Sequence, residues 1–130
     1  MTEQVHPSLD CLMLRTIAMP ADTNPSGNIF GGWLLAQMDL AGSNAATRRC
    51  NGPVVTVAIQ DIQFRKPVNI GDEVSCFAQV IKVGRTSMGV QVDVWVRSNR
   101  IGDPFLVAGG AFTFVAIDIN RNPRPIDMTP

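Results

Sequence analysis

The sequence predicts an α+β domain in which one long helix is held by a curled antiparallel sheet. Three observations carry this reading. Residues 29–49 are apolar at helical spacing, through Ile29, Phe30, Trp33, Leu34, Met38, Ala41 and Ala45. The stretches after Pro53 alternate, or run apolar at strand length, and are separated by short turns. The chain has 130 residues, 45% of them apolar, which suffices for one core and not for two.

Taken in order, residues 1–8 are polar and read as a loose start. Residues 11–19 (CLMLRTIAM) form a short apolar run that Pro20 ends, hence a strand. Residues 21–28 (ADTNPSGN) carry loop chemistry, with Asn28 placed to cap the helix that follows. That helix is apolar on most sides, since Leu35, Leu40 and Ala46 lie off the main stripe, so burial all round is expected. Arg48 and Arg49 suit its C-terminal end, and Asn51-Gly52-Pro53 stops it. Strands follow at residues 54–64, 73–83, 86–97 and 104–119, with a turn at 69–72 and a hairpin at Gly84-Arg85. Val90, Val92, Val94 and Val96 share one face of the third of these. Residues 120–130 hold three prolines and read as a loose tail. A single sheet layer leaves an open edge, so at least a dimer is expected.

The bulk numbers exclude several functions. Eleven basic and eleven acidic residues give zero net charge, too little to hold a nucleic acid. Lys66 and Lys82 are the only lysines; the remaining bases are Arg, the better fork for a small phosphorylated ligand. Cys11, Cys50 and Cys76 have neither disulfide nor zinc spacing and read as thiols in a reducing cytoplasm. No apolar run is long enough to cross a bilayer, and the N-terminus has no signal core. His6 lies in the loose start, so a Ser–His or Cys–His pair is poorly supported. No metal cluster and no nucleotide-binding glycine loop is present.

Four features remain as candidate chemistry. Asp39 is a lone carboxylate midway along the apolar helix. It either faces solvent at a gap in the packing, or sits in apolar surroundings where a carboxylate titrates high and serves as base or nucleophile. Gly31 and Gly32 open the helix, where free N–H groups at the positive end of the dipole polarise a carbonyl; close packing is the plainer explanation. Gly84-Arg85-Thr86-Ser87 offers a fork, two hydroxyls and exposed amides to a phosphate, or is simply a turn. Arg65-Lys66 is either solvated charge or a nucleotide-phosphate contact. Asp39 lies about 11 Å along the axis from the glycine pair, so an attack geometry calls for the helix start of one subunit and Asp39 of another. A hydrolase built on a carboxylate and backbone dipoles is limited to reactive esters, which a thioester fits.

Residues 24–39 (NPSGNIFGGWLLAQMD) closely resemble the signature of YciA-type acyl-CoA thioesterases. The likeness continues through Val55-Thr56-Val57, Phe64-Arg65-Lys66-Pro67-Val68, Gly71-Asp72 and Gly84-Arg85-Thr86-Ser87, and covers about residues 11–118. It implies a hotdog fold paired into double-hotdog dimers and assembled as a hexamer, a trimer of dimers. It implies hydrolysis of acyl-CoA to fatty acid and CoA, with no cofactor beyond the CoA of substrate and product. On the matching positions, Asp39 is the base or nucleophile, Asn24 positions thioester or water across the dimer interface, and the amides around Gly31 and Gly32 polarise the carbonyl. Arg65, Lys66, Gly84, Arg85, Thr86 and Ser87 are candidates for CoA contact. A non-catalytic acyl-CoA sensor on the same fold is the competing reading. A hotdog dehydratase, which wants a histidine near the helix, ranks last.

Overall fold

The period-2 pattern of the second half forms the sheet. The computed structural model describes residues 6–127. Its strands are β1 (Leu12–Ile17), β2 (Val54–Phe64), β3 (Glu73–Val83), β4 (Ser87–Arg97) and β5 (Phe105–Ala116). They lie in the order β1-β3-β4-β5-β2, with every neighbouring pair antiparallel. β4 is central, and Val90, Val92, Val94 and Val96 are wholly buried beneath the helix. β2, although next in sequence to the helix, is an outer strand. The turn before β3 is fixed by Asp72, 3% exposed, whose carboxylate accepts the N–H groups of Asn69 (2.9 Å) and Asn99 (3.1 Å). A buried carboxylate satisfied by backbone donors is a structural group.

The helix, α1 (Gly31–Cys50), crosses the inner face of this sheet. It buries Leu34, Met38, Ala41, Gly42, Ala45, Ala46 and Cys50, a single stripe. Gly42 sets the approach: a Cβ there would stand 3.0 Å from the Phe114 ring. Burial all round does not occur within one protomer, because Phe30 remains 41% and Leu40 57% exposed. One sheet layer covers one side of a helix. Asn28 is not the N-cap either; Phe30 is, without a side-chain bond. The reason is tertiary. The Ile29 N–H donates to the Val68 carbonyl (2.9 Å) and the Phe30 N–H to the Asp22 carbonyl (3.1 Å), which keeps the chain extended through Phe30. The C-terminus ends as the sequence says, with Asn51 left-handed at φ 57°.

Of the tail expected to be loose, residues 128–130 lie outside the described residues, and residues 118–127 are tied down. The Asp118 carboxylate accepts from the Asn120 and Asn122 amides, both at 2.9 Å. The Arg124 guanidinium donates to the carbonyls of Cys50 (2.8 Å) and Ile117 (3.2 Å), closing the negative end of α1. Ile126 is buried and donates its N–H to the Arg85 carbonyl. Asp127 pairs with Arg49 through two bonds, at 3.0 and 3.2 Å. Those bonds hold the Asp127 carboxyl below, and the Arg49 guanidinium above, the usual range. Of the start expected to be loose, residues 1–5 lie outside the described residues. His6 rests against the rings of Phe77 and Trp95, at 5.0 and 4.9 Å, and Ser8 caps a short turn, Leu9–Cys11.

Candidate active site

The start of α1 is open by construction. The N–H groups of Trp33 and Leu34 both turn back to the Phe30 carbonyl, at 3.1 and 3.4 Å. The amides of Gly31 and Gly32 then have no acceptor among the described residues and face outward at the positive end of the helix. A Cβ on Gly32 would stand 3.1 Å from the Phe30 ring, closer than ordinary contact, whereas one on Gly31 would meet Phe64 at an ordinary 3.5 Å. Beside these amides lies a cavity of about 400 Å³, lined by Ile29, Gly31, Leu34, Phe64, Arg65 and Lys66 among others. It is apolar below and cationic at its rim. The Lys66 ammonium sits 5.2 Å from the centre of the Phe105 ring, a cation–π contact that steadies the rim.

Asp39 projects from the middle of α1 toward β2. The Thr56 hydroxyl donates to its Oδ1 at 2.7 Å, fixing the carboxylate, while Oδ2 has no hydrogen-bond partner among the described residues. The side chain is half-buried, so its own protomer does not supply the apolar enclosure that the helix composition predicts. Asn24 organises the loop before the helix. Its Oδ1 accepts from the backbone of Ser26 (2.9 Å) and Asn28 (3.2 Å), and its own N–H donates to the Asn28 carbonyl (2.7 Å). With the side-chain carbonyl so engaged, the amide NH₂ is the group left for a ligand.

Residues 26–102 match a family model described as the thioesterase superfamily, well over half of the chain. The chain belongs to that superfamily. The acyl-CoA thioester hydrolase YciA of Salmonella typhimurium is 45% identical over 120 residues, 90% of each protein. A hexameric broad-specificity acyl-coenzyme A thioesterase, solved as an aspartate-to-alanine mutant, is 47% identical; the match covers 89% of this chain and 86% of that one, with a TM-score of 0.86. A hexameric hotdog-fold thioesterase of Campylobacter jejuni is 40% identical over 89% of this chain and 90% of that one, with a TM-score of 0.84. The helix laid on a five-stranded antiparallel sheet is therefore the hotdog fold of this superfamily.

Within the thioesterase protomer, not all expected site residues converge. Gly31, Arg65 and Lys66 meet at the cavity by the helix start, while Gly32, next in the chain, is not part of its lining. Gly84, Arg85, Thr86 and Ser87 lie elsewhere. They form the β3–β4 hairpin, where Gly84 N–H donates to the Ser87 carbonyl (2.8 Å) and Ala116 N–H to the Thr86 carbonyl (2.9 Å). Register places this hairpin beside the C-terminal end of β5, next to the start of β2 and the end of α1. That is the opposite end of the molecule from Phe64 and Gly31. A 20-residue helix separates the two ends by about 30 Å. Sequence reasoning also gave no role to Thr56. Its only signal is a hydroxyl between Val55 and Val57, at a strand position that faces the helix.

Proposed function

We propose that this protein hydrolyses acyl-CoA thioesters to free acid and CoA, as a single-domain subunit of a cytoplasmic homo-oligomer and without a resident cofactor. The observation that carries the reading is the pair of amides at Gly31 and Gly32, without an acceptor among the described residues, beside an apolar cavity with a basic rim that Gly31 helps to line. The acyl chain occupies the cavity, the thioester oxygen takes the two N–H groups, and phosphates meet Arg65 and Lys66. Donors fixed toward a developing oxyanion stabilise the transition state without reorganisation.

Asp39 supplies the base or nucleophile. In the base route its free oxygen takes a proton from water as the water oxygen attacks the carbonyl carbon. The C–S bond then breaks, and CoA departs as a thiolate that needs little protonation. Because Asp39 stands about 11 Å from its own helix start, the carboxylate at each oxyanion site comes from a partner. The open β2 edge supports this arrangement, because two-fold pairing along it would cover the half-open Asp39 and bring opposite ends of two protomers together. The same pairing carries a partner's Arg85, Thr86 and Ser87 toward the cavity. The Asn24 amide orients the thioester or the water. A hexamer, the assembly of the two related thioesterases described above, is the assembly expected here.

The test is thiol release from a panel of acyl-CoAs. Asp39→Ala is expected to lower turnover by about 10²–10⁴-fold and Asn24→Ala by a smaller factor, each with the oligomer intact. A fully active Asp39→Ala removes the mechanism, and tight binding without turnover in the parent turns the protein into an acyl-CoA sensor.

A further inference from the structure

Three exposed apolar side chains stand at the end of the molecule where α1 begins. Met19, Ile70 and Ile101, at 55%, 45% and 73% exposure, each occupy a separate loop. Backbone bonds stitch these loops together. The Gly71 N–H donates to the Ala18 carbonyl (2.8 Å) and the Ala18 N–H to the Asp72 carbonyl (3.0 Å), joining the first two. The buried Asp72 carboxylate takes the Asn99 N–H and draws in the third. The tips are held in place by this hub, and apolar groups gathered within a polar rim mark a surface that meets a partner.

The third loop is also the most constrained. Asn99 and Arg100 are consecutive non-glycine residues in the left-handed region, at φ 49° and 65°. Such a conformation persists only where the surroundings hold it, and it concentrates at functional positions. Here it turns Arg100 and Ile101 out side by side, both exposed. Further charge lies on the adjoining strand ends. Glu73 Oε1 is 3.6 Å from Arg15 Nε and 3.5 Å from Arg97 Nε, so two guanidiniums share one carboxylate. The buried Arg97 Nε has no hydrogen-bond partner among the described residues. Asp103 is the one carboxylate on the β4–β5 loop, so Arg15, Arg97 and Arg100 leave a positive surplus over Glu73 and Asp103.

Apolar tips spread over three loops suit a soft surface into which each can sink separately, as interfacial side chains do in the headgroup boundary of a bilayer. The guanidinium forks beside them match phosphate, and an anionic leaflet draws cations that lie close to it. We propose that this end of the molecule docks on an anionic lipid bilayer, with Met19, Ile70 and Ile101 entering the headgroup boundary and Arg97 and Arg100 meeting lipid phosphates. The mode is attachment to the surface, without a spanning segment. It goes beyond the acyl-CoA reading and stands independent of it, on residues outside the candidate active site.

The probe is a large vesicle of equal parts phosphatidylglycerol and phosphatidylcholine, sedimented with the intact oligomer. The parent is expected to bind it, and to bind vesicles of phosphatidylcholine alone about tenfold or more weakly. Ile101→Glu should weaken binding by about tenfold or more, and Arg100→Ala by about fivefold, one cation's share of the attraction. Ile119→Glu, at a still more exposed apolar position on the opposite end of the molecule, should leave binding unchanged. A parent that does not bind, equal binding to both kinds of vesicle, an Ile101→Glu variant that binds like the parent, or an equal loss in the Ile119 variant overturns the assignment. So does dissociation of the oligomer by Ile101→Glu, since the tip is then a contact between copies. Thiol release from butyryl-CoA without vesicles, which Ile101→Glu is expected to retain, separates the two claims. Vesicle binding without hydrolysis sinks the catalytic reading and leaves the docking surface standing; hydrolysis without vesicle binding does the reverse.

Discussion

β4 and β2 are both eleven residues long and both rich in Val or Ile, yet they meet opposite fates. In β4 the four valines of the inner face are wholly enclosed. In β2 no residue is buried, and Val57, Ile59 and Phe64 stand 54%, 40% and 53% exposed. Composition does not separate the strands; their place in the sheet order does. A long apolar edge with unpaired backbone groups is a template for another strand, and proteins normally guard such edges with charge or proline. Only Asp61 interrupts this one. Thr56, which holds Asp39, belongs to the same strand, so the least protected part of the sheet is also the part joined to the proposed chemistry.

The sharpest way to break this contrast is to charge the edge and hollow the centre. Val57→Lys is expected to split the oligomer and abolish most activity in sedimentation and thiol-release assays. In the separated protomer it should change stability by less than about 0.5 kcal/mol, as surface substitutions do. Val92→Ala should do the reverse, costing about 2 kcal/mol in denaturant unfolding with assembly intact. A Val57→Lys oligomer that stays together would show that β2 is not the shared edge.

Cysteine reactivity sharpens the same contrast at lower cost. Cys76, on the inner face of β3, is fully buried, and burial pushes its thiol up to about 12 from 9.0. Burial thus leaves far less thiolate at neutral pH than an ordinary exposed cysteine carries. Alkylation of the native protein, followed by mass spectrometry, is expected to mark Cys11, the partly exposed thiol, and spare Cys50 and Cys76. Rapid labelling of Cys76 would mean that the sheet centre opens as readily as its edge.

The smallest effect lies at the tail. The Asp127 carboxyl is lowered by its bond to Arg49, so the contribution of that pair is present above the unfolded value of 3.8 and fades as pH falls through the folded one. Amide exchange at Ile126 should rise selectively under acid conditions below that range while β4 stays protected. Equal loosening of both would deny the tail an independent hinge.

The strands and the helix were legible because each repeats a period: Val90, Val92, Val94 and Val96 declare a strand face, and Leu34, Met38, Ala41 and Ala45 a helix face. The features that escaped depend on distant partners. Asn28 has the right chemistry for a cap, but Val68 and Asp22 hold the chain extended two residues further. Pro123 and Pro125 read as a tail, yet Arg124 and Ile126 beside them find Cys50 and Arg85 far away in sequence. Leu40 and Phe30 make the helix look enclosed, because the sequence records apolar surface without recording which molecule covers it. Of the candidate site, the glycine pair and Arg65-Lys66 stood out by local chemistry, which left close packing and solvated charge open as their explanations. The remoteness of Arg85 was not, since it follows from strand register alone.

The Arg124 side chain has a practical consequence for anyone shortening this gene. Trimming the product after the last strand, where hydropathy suggests a boundary, would strip two carbonyls of their donor and leave the seat of Ile126 vacant. A truncation at residue 127 keeps that lock closed, whereas one at 119 is expected to yield a protein that frays from the C-terminal end of α1.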